Sequence, residues 1–312
     1  MKGITLDEII KGLDLEIIYK SSDSHKVEIF SPEVTRPGLQ LVGYFEKFVP
    51  SRLQVIGNSE WHYLNELPES LRHDSMDKLL GHPIPAMIFS RDLPIFPETL
   101  EFARKYDRTI LRVNKVTSKL INDLVGFIEL QLAPETTMHG VLLEVQGIGV
   151  LLLGKSGIGK SEIALDLVFR GHRLISDDRV VIKKVDNYLR GESPKLTRYF
   201  MEIRGIGILD IERLYGIGAV KEYEYIDIVI EIEQWDEEKE YDRVGLDEES
   251  TEILGINLPK VTIPVKPGRN IAMIIEVAAR NNRQKRLGYN AALSLNDRIM
   301  EEIETRRKKH QE

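Results

Sequence analysis

The stretch of residues 154–161 restricts the fold more strongly than any other, and it reads Gly-Lys-Ser-Gly-Ile-Gly-Lys-Ser. An apolar run at 150–153 precedes it, and apolar residues at helical spacing follow in 161–170. A glycine-rich loop between a strand and a helix surrounds phosphate groups with backbone N–H donors and the positive end of the helix. The pattern therefore predicts a P-loop that binds ATP or a related nucleotide. The alternative is a glycine-rich turn that only caps a helix.

Each position of this loop has a predicted part in binding. Lys160 is placed to reach the β- and γ-phosphates, and the Ser161 hydroxyl is placed to bind Mg²⁺. The predicted nucleotide-binding residues are Gly154, Lys155, Ser156, Gly157, Ile158, Gly159, Lys160 and Ser161.

Composition excludes several classes of protein. The formal net charge of −7 gives no basic field for nucleic acid, so no nucleic-acid partner is expected. The chain has no cysteine, which removes disulfides, thiolate nucleophiles and cysteine zinc sites and fits a cytoplasmic protein. No run of about 18 uncharged apolar residues occurs, so we expect no membrane span.

Strands and helices alternate along the chain, which predicts α/β domains with a parallel or mixed sheet. In the first part we expect strands at 15–19, 39–44, 85–90 and 109–113, and helices at 59–67, 68–80, 97–106 and 118–132. The segment 133–140 has turn chemistry and predicts a break. We therefore divide the chain into an N-terminal α/β domain of unassigned role, residues 1–132, and a P-loop domain, residues 133–312.

The second part begins with a predicted hairpin, in which 146–149 joins strands at 141–145 and 150–153. Further strands are expected at 173–176, 180–183, 226–232 and 261–265, and helices at 161–170, 272–287 and 291–307. Gly171 is a plausible stop for the first of these helices.

Two adjacent acids, Asp177 and Asp178, follow an apolar run and are candidates for the second magnesium anchor of a P-loop. On a strand, neighbouring side chains point to opposite faces, so one of the two is expected to face the nucleotide. Two nearby acids also favour split roles, one as an ionised ligand and the other as a proton acceptor. The residues alone leave equally open a charged strand-to-turn junction.

Other charged residues allow both a functional and an ordinary interpretation. Glu202 and Arg204 share one face of an expected strand within 200–210. They are either a buried charge pair that serves a site or part of a surface strand with a mobile loop. His139 precedes the P-loop sheet and is either structural or catalytic. Arg243 lies in an acidic stretch, 235–249, either as a surface arginine or as one that closes over a phosphoryl group. The turn 264–269 carries two cations suited to phosphate or to an acidic partner, and its ordinary interpretation is a solvated surface turn.

These pieces, in this order, resemble the bacterial HPr kinase/phosphorylase family. The matching stretches are 139–140, 154–162, 171–178, 201–210, Arg243 and 264–269. The resemblance implies a bifunctional, homohexameric enzyme that regulates carbon catabolite repression. Such an enzyme phosphorylates a serine of the phosphocarrier protein HPr with ATP or pyrophosphate. It removes that phosphate by phosphorolysis, in which inorganic phosphate attacks and pyrophosphate is released. The resemblance also implies a nucleotide fold similar to that of phosphoenolpyruvate carboxykinase.

The resemblance also implies roles for individual residues. Asp178 is implied as the proton acceptor, with Asp177 its neighbour in the catalytic set, and Ser161 and Glu202 as magnesium ligands. The remaining implied catalytic residues are His139, Lys160 and Arg243. Segment 201–210 is implied in both reactions. The segment implied in dephosphorylation consists of Pro264, Val265, Lys266, Pro267, Gly268 and Arg269.

Two competing functions are compatible with a P-loop. One is a kinase or carboxykinase that acts on a small metabolite in a closed pocket, and the other is a nucleotide-gated scaffold that binds without turnover. Lys155 stands where an acid is common in the family, which leaves the nucleotide preference open.

Overall fold

A computed structural model describes residues 3–239 and 249–309 of the chain. The chain divides into two compact units, Met1–Ala133 and Pro134–Glu312. Each unit combines strands and helices, so the predicted mixed α/β class is confirmed. Within the described ranges, no helix is both long and apolar enough to cross a membrane.

The first unit contains a five-stranded sheet in the order β2-β7-β6-β5-β4, in which β4 to β7 are parallel and β2 is antiparallel to β7. Its strands are β1 (Ile4–Thr5), β2 (Glu16–Tyr19), β3 (Glu28–Ile29), β4 (Val34–Thr35), β5 (Leu53–Ile56), β6 (Ala86–Phe89) and β7 (Thr109–Arg112). Its helices are α1 (Leu6–Leu13), α2 (Gly38–Leu41), α3 (Asn58–Glu66), α4 (Glu69–Gly81), α5 (Pro97–Tyr106) and α6 (Thr117–Leu132). Separate apolar clusters cover the two faces of this sheet.

One predicted strand of this unit is wrong, because residues 39–44 begin with the end of helix α2 and continue into a turn. The neighbours Gln40 and Leu41 are both buried, whereas a strand with one face exposed to solvent would bury alternate residues. Pro37 sets the backbone at the start of the helix, and Gly43, with φ of 94°, follows its end. The fully buried strand β5 was not predicted, because its short apolar run has no alternation.

The second unit contains the P-loop. Its strands are β8 (Glu135–His139), β9 (Val141–Val145), β10 (Ile148–Gly154), β11 (Arg173–Ser176), β12 (Arg179–Val185), β13 (Tyr188–Glu192), β14 (Phe200–Ile203), β15 (Gly207–Asp210), β16 (Tyr223–Tyr225), β17 (Ile228–Gln234), β18 (Glu249–Ile253) and β19 (Ile256–Val265). Its helices are α7 (Lys160–Phe169), α8 (Ile211–Tyr215), α9 (Ile271–Arg286) and α10 (Ala291–Lys309). The larger sheet has the order β11-β9-β10-β17-β19-β18.

Parallel pairing in this larger sheet brings three strand ends to one edge. β10 is parallel to β17, with Gly154 opposite Ile232, and β17 is parallel to β19, with Gln234 opposite Val265. The P-loop and the residues that follow β17 and β19 therefore leave the sheet at the same edge. Ligands of α/β sheets bind at the carboxyl ends of parallel strands, so this edge is where a site is expected.

The predicted β9–β10 hairpin is confirmed, and its turn is tighter than expected. Val145 lies opposite Ile148, so only Gln146 and Gly147 form the turn. Both have positive φ, 55° and 76°, which matches the two-residue turn whose twist suits an antiparallel pair.

The predicted break at 133–140 is wrong for most of its length, because residues Glu135–His139 form strand β8. β8 pairs with β12 at the edge of a second sheet, in the order β16-β13-β12-β8, and His139 lies opposite Arg179. The sequence predicted a break because this segment contains turn-forming residues. Its pairing with β12 is not visible locally, since the partner strand is distant in sequence.

We expect Gly149→Ala to destabilise the second unit, because an added Cβ would lie 1.8 Å from the backbone oxygen of Tyr225. The backbone there is also held by hydrogen bonds of 2.8 Å in both directions between Gly149 and Asp227. Overpacking of this kind costs about 1–3 kcal/mol or more. Urea unfolding followed by circular dichroism measures the loss, with Gly218→Ala as the control, since nothing lies within 4 Å of a Cβ there. Equal unfolding midpoints for the two variants would contradict the prediction.

Candidate active site at the end of β10

The P-loop runs from the end of β10 to the first residue of α7, as the sequence predicts. Gly154 has φ of 148°, and an added Cβ there would lie 2.4 Å from the backbone oxygen of Ile232. Gly157 and Gly159 also have positive φ, 83° and 95°. Glycine is therefore required at the base of the loop for close approach to β17, and at its apex for backbone conformation.

Lys160 extends into the loop and is 93% shielded, with 7% of its surface exposed. Its Nζ donates to the backbone oxygens of Gly154 at 2.9 Å and Lys155 at 3.2 Å, and it lies 3.3 Å from Nε2 of His139. Burial lowers the pKa of the Lys160 ammonium below its ordinary value, and the charges of the two neighbouring aspartates oppose this shift. The ammonium is therefore available at the base of the loop to bind phosphate oxygens.

Asp177 follows β11 and is buried. Ser161 Oγ donates to its Oδ1 at 2.9 Å, and the backbone N–H of Glu202 donates to its Oδ2 at 3.3 Å. Burial raises the pKa of the Asp177 carboxyl, while these two hydrogen bonds act in the opposite direction. This carboxylate thus joins the start of α7 to strand β14.

Asp178, in contrast, is exposed, and its Oδ1 lies 2.9 Å from Nδ1 of His139. The expectation that the two aspartates point to opposite faces of a strand is wrong. Asp177 and Asp178 lie in the turn between β11 and β12, Asp178 has φ of 68°, and both side chains line one cavity.

His139 connects Asp178 to Lys160, since its two ring nitrogens contact different partners. A protonated lysine donates to Nε2, so the neutral imidazole carries its proton on Nδ1 and donates it to Asp178. Three side chains from three elements therefore form one hydrogen-bonded chain: Lys160, His139 and Asp178.

Strands β14 and β15 form a hairpin beside the loop. Met201 and Ile203 are buried, whereas Glu202 and Arg204 are exposed, so the two charged residues share a face as predicted but are not a buried pair. Both side chains line the cavity with the loop.

The cavity brings together most of the predicted site residues. Its lining consists of His139, Val141, Ser156, Gly157, Gly159, Lys160, Ser161, Glu162, Asp177, Asp178, Glu202 and Arg204. Sequence reasoning had considered Arg204 only as the partner of Glu202 and as part of segment 201–210, and it had assigned no individual role to Glu162. Glu162 lies in the first turn of α7, where an acid favours the helix, and that ordinary role hid its position in the cavity.

The remaining predicted residues lie elsewhere. Gly154, Lys155 and Ile158 belong to the loop without lining the cavity, and Arg243 lies outside the described residues. Segment 264–269 begins in the last two residues of β19 and leaves the sheet at the same edge as the loop. It does not line the cavity. Lys266 Nζ lies 5.0 Å from the centre of the Trp235 ring, and Arg269 Nη1 donates to the Pro264 oxygen at 2.9 Å.

The glycine-rich loop lies between a parallel strand and a helix, and a lysine and a serine stand at the start of that helix. A carboxylate at the end of β11, in the same sheet, completes the arrangement of a P-loop phosphotransfer site. Comparison with known proteins gives the family. Residues 4–128 match the model described as HPr Serine kinase N terminus, and residues 130–299 match HPr Serine kinase C-terminal domain. The chain belongs to the HPr kinase/phosphorylase family of enzymes.

Two named relatives match almost the whole chain, and one solved structure matches about half of it. An HPr kinase/phosphorylase of Caldanaerobacter subterraneus subsp. tengcongensis is 48% identical over 97% of this chain and 99% of its own length. One from Alkaliphilus metalliredigens is 47% identical over 97% of this chain and 98% of its own length. A solved HPr(Ser) kinase/phosphatase from Coxiella burnetii is 35% identical, covers 48% of this chain and 98% of its own, and has a TM-score of 0.45.

We expect the affinity for MgATP to fall as the pH rises from 7 towards the range in which an ordinary lysine loses its proton. The lowered pKa means that Lys160 loses its proton at a lower pH than an ordinary lysine, and the neutral amine no longer attracts phosphate oxygens. Removing one charge-assisted contact weakens binding by about ten- to a hundredfold. Isothermal titration calorimetry across this range measures the fall. Lys160→Arg keeps its charge and should flatten the profile, so parallel falls in both proteins would contradict the assignment.

Proposed function

We propose that the chain transfers a phosphoryl group from ATP or pyrophosphate to a serine of the phosphocarrier protein HPr. In the reverse direction it transfers that group to inorganic phosphate and releases pyrophosphate. The observation that carries the proposal is the hydrogen-bonded chain of Lys160, His139 and Asp178, which joins the P-loop to an exposed carboxylate. HPr as substrate follows from the names of the relatives.

Residues 133–312 carry the catalysis in this proposal, while residues 1–132 form a separate α/β domain. Backbone N–H groups of residues 154–161 hold the polyphosphate, and Lys160 exchanges its contacts with the Gly154 and Lys155 oxygens for phosphate oxygens. Phosphoryl transfer depends on such alignment and charge neutralisation more than on covalent catalysis.

The charges of the cavity favour magnesium as the companion of the phosphates. The cavity is lined by four acids, Glu162, Asp177, Asp178 and Glu202, and by two basic side chains, Lys160 and Arg204. A polyphosphate adds further negative charge. No group of three or more His, Asp or Glu side chains in the described part of the chain is arranged to hold a metal alone. Mg²⁺ commonly takes few protein ligands and completes its shell with phosphates and water.

We propose that Ser161 and Glu202, which both lie beside Asp177, provide oxygen ligands to Mg²⁺. Ser161 Oγ now donates to this carboxylate and can turn its lone pairs to the ion, and Glu202 is held beside it through its backbone N–H. Mg²⁺ supplies charge neutralisation of the phosphate oxygens when bound. The buried position of Asp177 suits this metal-side role, which separates it from Asp178.

Asp178 acts as the proton acceptor in this mechanism. Its exposed carboxylate accepts the proton of the serine hydroxyl as the oxygen attacks the terminal phosphorus, and the donor leaves as ADP or inorganic phosphate. His139 donates from Nδ1 to Asp178 Oδ1 and thereby orients the carboxylate. In phosphorolysis inorganic phosphate attacks phosphoserine, pyrophosphate forms, and Asp178 returns the proton to the serine oxygen.

Several further parts of the proposal rest on the resemblance alone. Arg243 is the remaining catalytic cation, and residues 264–269 are the segment needed for dephosphorylation. The assembly is a homohexamer that acts in the cytoplasm on carbon catabolite repression.

We expect Asp178→Asn to slow both phosphorylation of HPr and phosphorolysis of serine-phosphorylated HPr by about 10²–10⁴-fold, because an amide accepts no proton. MgATP binding should remain, since the residue lies outside the loop. The measurement is a two-way assay on purified HPr, with ATP in one tube and phosphorylated HPr plus phosphate in the other. Release of pyrophosphate in the second tube is the diagnostic product.

The matched control is Asp186→Asn, an exposed aspartate of the same region that also has positive φ, 52°. This variant should retain wild-type rates in both directions. Unchanged rates in Asp178→Asn would reject the assignment of the base. A wild-type chain that labels a metabolite instead of HPr would favour a small-molecule kinase.

A further inference from the structure

Arg204 occupies a position that the mechanism above does not use. Its guanidinium lies against the apex of the P-loop, because a Cβ added to Gly157 would come within 3.2 Å of Nη2 and 3.3 Å of Nη1. The side chain lines the same cavity as Lys160 and Asp178. The β14–β15 hairpin thus brings a second basic side chain to the loop from a different part of the chain.

This guanidinium has no carboxylate partner among residues 3–239 and 249–309, although four acids line the cavity. Neighbouring arginines of the same region are paired: Arg198 with Glu222 at 3.4 Å and Arg213 with Asp210 at 3.3 Å. An unpaired guanidinium keeps all its N–H donors available, and their planar fork matches the geometry of phosphate oxygens.

The base of the hairpin is fixed, which limits where Arg204 can reach. Met201 and Ile203 are 1% and 5% exposed, and the Glu202 N–H bonds to Asp177. Gly205 and Gly207, with φ of 83° and 105°, turn the chain immediately afterwards. Arg204 is therefore held next to buried neighbours while its exposed tip remains free to move onto a ligand.

Asp178 marks the reacting end of the cavity, because the base must reach the hydroxyl that attacks the terminal phosphorus. Asp177 precedes it in the chain and is bonded to the Arg204-bearing hairpin through Glu202. The hairpin is thereby tied to the reacting end of the site. Arg204 extends from that hairpin to the apex of the loop at Gly157.

We propose that Arg204 binds the terminal phosphoryl group of the donor, the one that is transferred, and neutralises charge on its oxygens during transfer. This inference rests on the proposed function and adds the residue that binds the terminal phosphoryl group. Charge spreads over the three non-bridging oxygens of the transferring group, and a guanidinium beside them stabilises it. The same contact serves both directions, because the same group moves in each.

Arg204→Met tests the contact through ligand discrimination. The expected result is that affinity for MgATP falls about ten- to a hundredfold while affinity for MgADP, which lacks the terminal phosphoryl, changes by less than about twofold. Calorimetric titration of both nucleotides measures the ratio, and kcat for both reactions with HPr should fall together. Arg204→Lys keeps the charge without the fork and should give an intermediate ratio.

Arg213→Met is the matched control, since this arginine lies just beyond the hairpin, is 87% exposed and does not line the cavity. It should leave both affinities unchanged. Equal losses of MgATP and MgADP in both Arg204 variants, or no loss in either, would overturn the inference. Failure of the wild-type chain to phosphorylate HPr would instead contradict the proposed function, because the nucleotide comparison does not need HPr.

Discussion

The parallel pairing of β10 with β17 is the constraint on which the rest of the site depends. It requires a backbone so close at the loop base that a side chain at Gly154 would meet the Ile232 oxygen. That close approach fixes where the loop leaves the sheet and where α7 begins. Once this geometry is set, Lys160 points back to the carbonyls of Gly154 and Lys155, and its ammonium lies at the base of the loop.

Around this loop the polar groups divide into two sets with different environments. Asp177 is buried and bonded to Ser161, which suits a carboxylate that stays beside a metal ion. Asp178 is exposed and bonded to His139, which suits a group that exchanges a proton with a protein substrate. Two residues that are adjacent in sequence thus have different environments, because the backbone turns between them. A single site can consequently run phosphorylation and its reversal.

Local sequence patterns predicted the elements whose signals are local. Helix α5 (Pro97–Tyr106) and strand β11 (Arg173–Ser176) have the predicted bounds, since proline at a helix start and a bounded apolar run are sufficient signals. The P-loop was found because its residues are contiguous. Strand β8 was missed because its partner is distant, and the turn at Asp178 because a positive φ in a residue other than glycine has no reliable sequence signal. The contact of Arg204 with Gly157 is tertiary and could not be predicted.

The pairing of β8 with β12 has a consequence for the contact between His139 and Asp178. His139 ends a strand of the four-stranded sheet, whereas the P-loop follows β10 of the six-stranded sheet. A one-residue slip of β8 would turn the imidazole to the opposite face and away from Asp178. The contact between His139 and Asp178 is therefore set by the register of the smaller sheet, whereas the position of the loop is set by the larger one. A substitution that shifts β8 along β12 would break this contact and leave the loop in place.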